Sequence, residues 1–385
     1  MTSIIYVGMD VHTTSYTLCC YRANDDDVFA VATMEPQLKN ILKYLSRVKE
    51  NYGGEVTFQC GYEAGCIGYT LYHQLTDHGI DCVILAPSTM PQTSKREIKT
   101  DKRDAKKVAK CLAYRTYKGV YIPTEEDNAV KEYIRMRDDE KQTLKRIKQR
   151  IISLCIRHGR HFTETKSYWT LKHHAWLKKQ DFGNAILQET FQEYLTLYYQ
   201  ASDKVELFDK RIEELAQQER YQERVKKLSC LIGVKTHTAL AAIVETGDFV
   251  RFQTARDYAA YLGLVPGEES SGQSIRRTAI TKAGNSHIRR LLIESAQSYG
   301  RGAIGAKSKA LKTRQAGNDP QVIAYADKAN ERMKRKFYRI TYHSKRNIAV
   351  VAVAREMACF IWGMMTDNVA QGEETMNFKD PLLWH

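Results

Sequence analysis

Short apolar runs alternate with longer stretches of helical periodicity through the first 120 residues. Ile4 to Asp10, Tyr16 to Arg22 and Val28 to Thr33 predict three strands. Asn24-Asp25-Asp26-Asp27 has turn composition between the second and the third. From Pro36 to about Asn51, Leu38, Ile41, Leu42, Leu45 and Val48 recur on one helical face. Proline opens that stretch and Gly53-Gly54 follows it, the usual punctuation of a helix. Val56 to Cys60 predicts a fourth strand, Ile67 to Asp77 a second helix, and Cys82 to Ala86, stopped by Pro87, a fifth strand. A third helix opens near Asp101, with Ala105, Val108, Ala109 and Leu112 at helical spacing.

The order βββαβαβα predicts a mixed sheet with helices on its faces. It is the order of the ribonuclease H-like fold of Holliday-junction (RuvC-like) resolvases, and it assigns residues 1–122 to an α/β domain. A polar boundary, Pro123-Thr124-Glu125-Glu126-Asp127, follows. Residues 123–220 are charge-rich and helical in pattern. Leu144, Ile147, Ile151 and Leu154 step by coiled-coil intervals, as do Val205, Phe208, Ile212 and Leu215. These stretches predict a helical coiled-coil linker or simple amphipathic core helices. The segment between them, His158 to Gly183, holds Trp169, His173-His174 and Trp176 and suggests no role. Residues 221–385 read as a mostly α-helical domain ending in a buried helix, Asn347 to Met365, and a loose tail after Gln371. Within it, Leu231-Ile232-Gly233-Val234-Lys235-Thr236 resembles the turn of a helix-hairpin-helix, whose amides can hold a DNA phosphate.

Charge sharpens this picture. Lys and Arg number 59 against 45 Asp and Glu, a formal net charge of +14, which favours polyanions. Arg276, Arg277, Lys282, Arg289 and Arg290 lie in a stretch without acid. Arg332, Lys334, Arg335, Lys336, Arg339, Lys345 and Arg346 face one acid, Glu331, with Tyr338 and Tyr342 among them. Of these, Arg276, Arg277, Lys282, Arg289, Arg290, Arg335, Lys336, Lys345 and Arg346 are the expected nucleic-acid contacts. No membrane association is expected: the apolar run Ile348 to Ala354 breaks at Arg355 and Glu356, short of the ~20 residues a span needs. The N-terminus lacks the pattern of a signal peptide. Nine scattered cysteines without a CxxC pair argue against disulfides and zinc, and suit a reducing cytoplasm.

Four carboxylates carry the candidate chemistry. Asp10 ends the first strand, Glu63 follows the fourth, and Asp101 and Asp104 open the third helix on one face. Brought together they require a cation, and Mg²⁺ suits oxygen ligands. One ion, or two roughly 4 Å apart, would activate an attacking oxygen and stabilise the leaving one. Taken singly, Asp104 could serve the helix dipole, Asp101 an N-cap, Asp10 a turn and Glu63 the surface. Downstream, Pro266-Gly267-Glu268-Glu269-Ser270-Ser271-Gly272 offers a serine beside a basic segment, although a hydroxyl needs activation to attack. His237 and His287 are candidate phosphate contacts.

Gly8-Met9-Asp10, Tyr62-Glu63-Ala64-Gly65 and Lys99 through Ala105 stand in an order joined, downstream, by Gly247-Asp248 through Arg251-Phe252 and Ala259 through Pro266. Ser271-Gly272, Thr281 through Asn285 and Leu291-Leu292 complete it. This series resembles the DEDD-type transposases of bacterial insertion sequences, bridge-RNA-guided serine recombinases. The resemblance implies a metal-dependent N-terminal domain, a coiled-coil linker and a C-terminal transposase domain. It implies that Ser271 is the nucleophile, with Ser270 the second choice, and forms a phosphoserine link to DNA. It further implies that Asp10, Glu63, Asp101 and Asp104 complete the site from another subunit of a dimer or tetramer, and that a structured RNA pairs with donor and target DNA. The chain departs from the family at Leu231 to Lys235, where a Pro-Gly-Ile-Gly turn is usual, and in the long segment 158–183. Competing readings are a junction-resolving nuclease that attacks with water, an actin-like phosphotransferase, and a non-catalytic nucleic-acid-binding protein.

Overall fold

Hydrogen bonding gathers the five N-terminal strands into one mixed sheet. The computed structural model describes residues 3–52, 55–91, 100–271 and 274–368, in two compact units, 1–122 and 123–385. The first unit runs β1 (Ser3–Val11), β2 (Tyr16–Arg22), β3 (Asp27–Met34), α1 (Leu38–Tyr52), β4 (Val56–Glu63), α2 (Thr70–Asp77), β5 (Asp81–Leu85) and α3 (Asp101–Tyr114). This is the expected order, with one short 3-10 turn, Pro87–Thr89, after β5. Strand order in the sheet is β3-β2-β1-β4-β5. β1 is antiparallel to β2 and parallel to β4, and β4 is parallel to β5. β4 extends beyond its apolar run, so Glu63 is the last residue of the strand rather than a residue after it.

Alternation along β1 separates two faces. Ile5, Val7 and Met9 join Leu18, Cys20, Cys60, Tyr62 and Ile84 beneath Ile41, Leu45 and Val48 of α1 and Leu71 and Leu75 of α2. Each such side chain, fully buried, contributes about 1.5–3 kcal/mol. The other face receives α3, whose Ala105 and Ala109 pack with Cys19 and Tyr21, and whose Val108, Cys111 and Leu112 pack with Leu85.

The second unit runs α4 (Glu125–Arg157), α5 (Leu171–Lys178), α6 (Ala185–Ala216), α7 (Glu219–Leu228), α8 (Thr236–Thr246), α9 (Ala255–Tyr261), β6 (Pro266–Ser271) and β7 (Ser274–Ile280). It continues with α10 (Ser286–Ala296), α11 (Lys309–Gln315), α12 (Pro320–His343) and α13 (Arg346–Met365). α4 and α6 form an antiparallel hairpin. Val130 and Ile134 share one core with Ile212 and Ala216, while Leu144, Ile147, Ile151 and Leu154 share another with Phe191, Leu195, Tyr198 and Val205. The two periodic stretches of the sequence are therefore staggered: Leu144 to Leu154 meets the N-terminal half of α6, and Ile212 meets the start of α4.

The larger core surrounds α8, α10 and α13. α13 has the length and hydropathy to cross a bilayer, yet 61% of it is buried inside the protein, against α9, α10 and α12. The serine-bearing segment Pro266–Ser271 is a strand. The backbone register sets Glu268 beside Arg277 and Glu269 beside Arg276 across β6 and β7. All nine cysteines are free thiols, seven of them buried.

Candidate active site

β1 and β4 carry the same three-residue pattern, Gly8-Met9-Asp10 and Gly61-Tyr62-Glu63. Their parallel register sets Gly8 beside Gly61 and Met9 beside Tyr62. Period-two alternation puts each acid on the face of its own glycine, at the carboxyl end of adjacent strands. α3 lies on that face. A β-carbon on Gly8 would meet the Ala109 amide nitrogen at 2.4 Å, and one on Gly61 would meet Leu112 Cδ2 at 2.9 Å. The two glycines thus let α3 settle directly on the sheet. Its first turn, with Asp101 and Asp104, is brought to the strand ends. Thr100 is the N-cap, accepting a hydrogen bond from the Arg103 amide, so capping does not occupy Asp101.

Asp10 is the centre of the cluster. Its Oδ1 lies 3.3 Å from His12 Nε2. Ligand atoms of Asp10, His12 and Asp101 all lie within 4.8 Å of one another. Asp10 Oδ2 is buried and has no hydrogen-bond partner. Burial raises the Asp10 carboxyl above its ordinary range; His12 opposes this, and the charges of Asp101 and Asp104 add to it. Glu63 faces Lys107, whose Nζ is 3.6 Å away. An orphaned buried oxygen among like charges, with hard oxygen donors and an imidazole at hand, fits a divalent cation. Sequence reasoning missed His12. Its signal was present: in Asp10-Val11-His12 the histidine stands two positions on, where alternation returns it to the same side.

In the second unit, Ser271 closes β6, paired with Ser274 of β7; its side chain, like that of Arg277, lies outside the described residues, as does Gly272. The base of this hairpin is strapped: Thr281 donates to Val265 O at 2.9 Å and Lys282 to Gly263 O at 3.1 Å. Arg289 spends its guanidinium on the carbonyls of Leu262 and Ala283. Asn285, the N-cap of α10, donates to Glu245 at 2.8 Å.

Glu245 belongs to a buried charge network. Arg135 holds it through Nε and Nη2 at 2.7 and 2.9 Å. His287 sits between two carboxylates, with Nε2 2.8 Å from Asp138 and Nδ1 3.2 Å from Glu245. Asp138 also meets His237 at 2.9 Å, Arg137 at 2.9 Å and Arg290 at 2.8 Å. Burial opposes the charge on both acids, but their cationic and hydrogen-bonding partners outweigh it. Glu245 is lowered to about 2, and Asp138 is lowered as well. His237 and His287, expected as phosphate contacts, are instead turned onto these acids.

The expected basic contacts divide in the same way. Arg290 pairs with Asp138, and Lys336 with Glu356 at 2.9 Å in a half-buried position. Arg276, Lys282, Arg335, Lys345 and Arg346 are exposed, Arg335 within reach of Glu331. In the turn at Gly233, between α7 and α8, the Ile232 N–H donates to Asn330 Oδ1 at 2.8 Å.

The chain is 32% identical over 335 residues to the transposase for insertion sequence element IS1533 of Leptospira borgpetersenii, covering 86% of this chain and 95% of that protein. It is 32% identical over 304 residues to the putative transposase y4qE of Sinorhizobium fredii, covering 79% and 74%. Over 227 residues it is 25% identical to the transposase for insertion sequence element IS1111A of Coxiella burnetii, covering 59% and 61%. A transposase family profile of the DEDD type matches residues 7–156, a span containing all four acids. The profile of the transposase IS116/IS110/IS902 family matches residues 225–306, which contain Ser271. The acids at the sheet end, the serine hairpin and this similarity along nearly the whole length agree: the chain belongs to the IS116/IS110/IS902 family of insertion-sequence transposases, enzymes that cut and rejoin DNA.

Proposed function

We propose that this transposase cuts and rejoins donor and target DNA by serine transesterification, with Asp10, Glu63, Asp101 and Asp104 as the seat of Mg²⁺ and a structured RNA as guide. The observation that carries the reading is Asp10: a half-buried carboxylate whose buried Oδ2 lacks a partner and whose neighbours are His12 and further acids. Asp10 and Asp101, with Asp104 and Glu63, would hold one or two ions, and His12 is an additional donor. Bound Mg²⁺ would supply Lewis-acid polarisation of a phosphate oxygen and ease deprotonation of the attacking hydroxyl.

The residues do the rest. Ser271 Oγ loses its proton and bonds to phosphorus, while the bond from phosphorus to the leaving strand oxygen breaks and that oxygen takes a proton. The phosphoserine conserves the phosphodiester bond. A free hydroxyl of another strand then attacks the phosphorus and returns Ser271 to its starting state. Exposed Arg276 and Lys282 flank the serine strand and would neutralise the phosphate. The α4–α6 hairpin serves as the coiled-coil linker, and the working species is a homo-oligomer, a dimer or tetramer, in which the serine and the acids come from different subunits.

A second reading has one observation in its favour: all four acids lie in the first unit, and Asp10, His12 and Asp101 already cluster there, so water could attack without Ser271. Covalent trapping separates the two. The protein, its RNA, Mg²⁺ and labelled donor and target DNA are run on a denaturing gel beside Ser271→Ala and Asp10→Ala. A protein–DNA adduct absent from both variants supports transesterification. Cleavage without an adduct, retained in Ser271→Ala, assigns the chain to the water-attacking class.

A further inference from the structure

Charge is unevenly distributed along the α4–α6 hairpin. Near its base, cations are paired: Arg135 with Glu245, Arg137 with Asp209, Arg220 with Asp127. Toward the tip they are not. Residues 141–180 contain eleven lysines and arginines and one acid, Glu164. Among the described residues, none of those eleven forms an ion pair with a carboxylate.

Several of these charges converge on an aromatic platform. Trp169 and Tyr198 stack with ring centres 4.8 Å apart. Lys148 Nζ lies 5.1 Å from the first ring and 5.6 Å from the second. His174 stands 5.5 Å from Tyr198 and 6.3 Å from Tyr199. Burial lowers the Lys148 ammonium and Lys141 adds to the effect; burial lowers His174, helped by Lys148 and Lys178. Lys141 thus acts on Lys148, and Lys148 and Lys178 both act on His174, which places these cations near one another. Lys145 is one turn from both Lys141 and Lys148.

Such a surface attracts an anion, and its form selects the kind. Lys141, Lys145 and Lys178 are all exposed. The seven helical steps of α4 from Lys141 to Lys148 rise about 10 Å, which suits a chain of phosphates rather than a single one. Tyr168 and Tyr199 are exposed beside it, and an exposed tyrosine can stack on an unpaired base. A duplex would present phosphates but hide its base faces. We propose that this flank of the hairpin tip docks an unpaired stretch of DNA, its phosphates on Lys141, Lys145 and Lys178 and a base on Tyr199. Strand cutting and exchange by a transposase exposes such a segment. The surface shares no residue with the acid cluster or with Ser271, so the proposal stands whichever nucleophile the enzyme uses.

Binding of the full-length protein without Mg²⁺ tests it, by fluorescence anisotropy across a salt series. The probes are a labelled oligo(dT) of about 20 nucleotides, the matching duplex and oligo(U). The Lys141→Glu, Lys145→Glu, Lys178→Glu triple variant should bind oligo(dT) at least about tenfold more weakly, with a salt slope shallower by about 2, the loss of three phosphate contacts. Duplex affinity should change far less. Tyr199→Ala should weaken oligo(dT) about fivefold or more with the slope unchanged, the signature of lost stacking. Oligo(dT) binding within twofold of wild type in both variants overturns the proposal. So does an equal loss for the duplex, and so does a loss confined to oligo(U), which would assign the surface to RNA. These side chains lie on the surface, and an unchanged unfolding midpoint confirms that the variants are folded.

Discussion

A β-carbon on Gly8 would stand 2.0 Å from the carbonyl oxygen of Ala105. No side chain fits there. β1 and α3 are in backbone contact at the level of the sheet just below Asp10, and this contact fixes how near the first turn of α3 comes to the strand end. Gly8→Ala should force α3 outward, costing about 1–3 kcal/mol of stability by overpacking. It should also lower metal-dependent DNA cleavage by at least about tenfold, through misplacement of the acids. Urea unfolding and a cleavage assay check the two effects together. A variant as stable and active as wild type would refute the link between close packing and the site.

Asp10→Asn separates stability from chemistry. The charge of this half-buried carboxylate is opposed by desolvation and by Asp101 and Asp104, so removing it should leave the metal-free protein as stable as wild type or more so. Added Mg²⁺ should raise the unfolding midpoint of wild type, because a ligand that binds only the folded state stabilises it by about 2.7 kcal/mol at a hundred times its Kd. In Asp10→Asn that rise should nearly vanish, and activity should fall by a factor of about 100 or more. Differential scanning fluorimetry with and without Mg²⁺ decides it; an equal Mg²⁺ shift in both proteins would remove Asp10 from the metal site.

His287 gives the second unit a pH signature. Burial opposes its charge, but Asp138 and Glu245 on either side of the ring outweigh burial and raise it above 6.5. Arg135, Arg137, Arg290 and His237 meet the same two acids from the other directions. A raised histidine contributes stability that is complete below its unfolded value and is lost as pH rises through the folded one. Stability of the wild type should therefore decline above about pH 6.5. His287→Gln should be less stable at pH 6 and show a flatter profile from pH 6 to 9. Parallel profiles for the two proteins would show that His287 carries no charge in the fold.

Gly284 anchors the hairpin that bears the serine. It has a φ of 67°, and a β-carbon there would lie 1.9 Å from Tyr261 O. Gly284→Ala combines a left-handed backbone with a clash, so it should cost more than the ~1 kcal/mol that strain alone imposes. The loss should be local. Hydrogen exchange should quicken at Thr281 and Lys282, whose amides strap the hairpin base to Val265 and Gly263. Unchanged protection at those amides would mean that the strap does not depend on the glycine.

The sequence by itself determined the elements of the first unit and their order, because apolar periods of two and of about 3.6 are local properties of the chain. It also placed Asp10, Glu63, Asp101 and Asp104 at element ends. What it could not express was distance. The stacking of Gly8 under Ala105, the orphaned oxygen of Asp10 and the approach of His12 depend on how far α3 sinks onto the sheet. The strand at Ser271 was hidden because Pro-Gly-Glu-Glu-Ser-Ser has no apolar alternation; it is a strand through cross-strand pairing with Arg276 and Arg277. His237, His287, Arg290 and Lys336 looked free in a basic sequence, since their carboxylate partners Asp138 and Glu356 lie 20 to 152 positions away. Charge along a chain is additive and legible, whereas the pairing of charges is a tertiary event, decided only when α4, α8, α10, α12 and α13 are packed around one core.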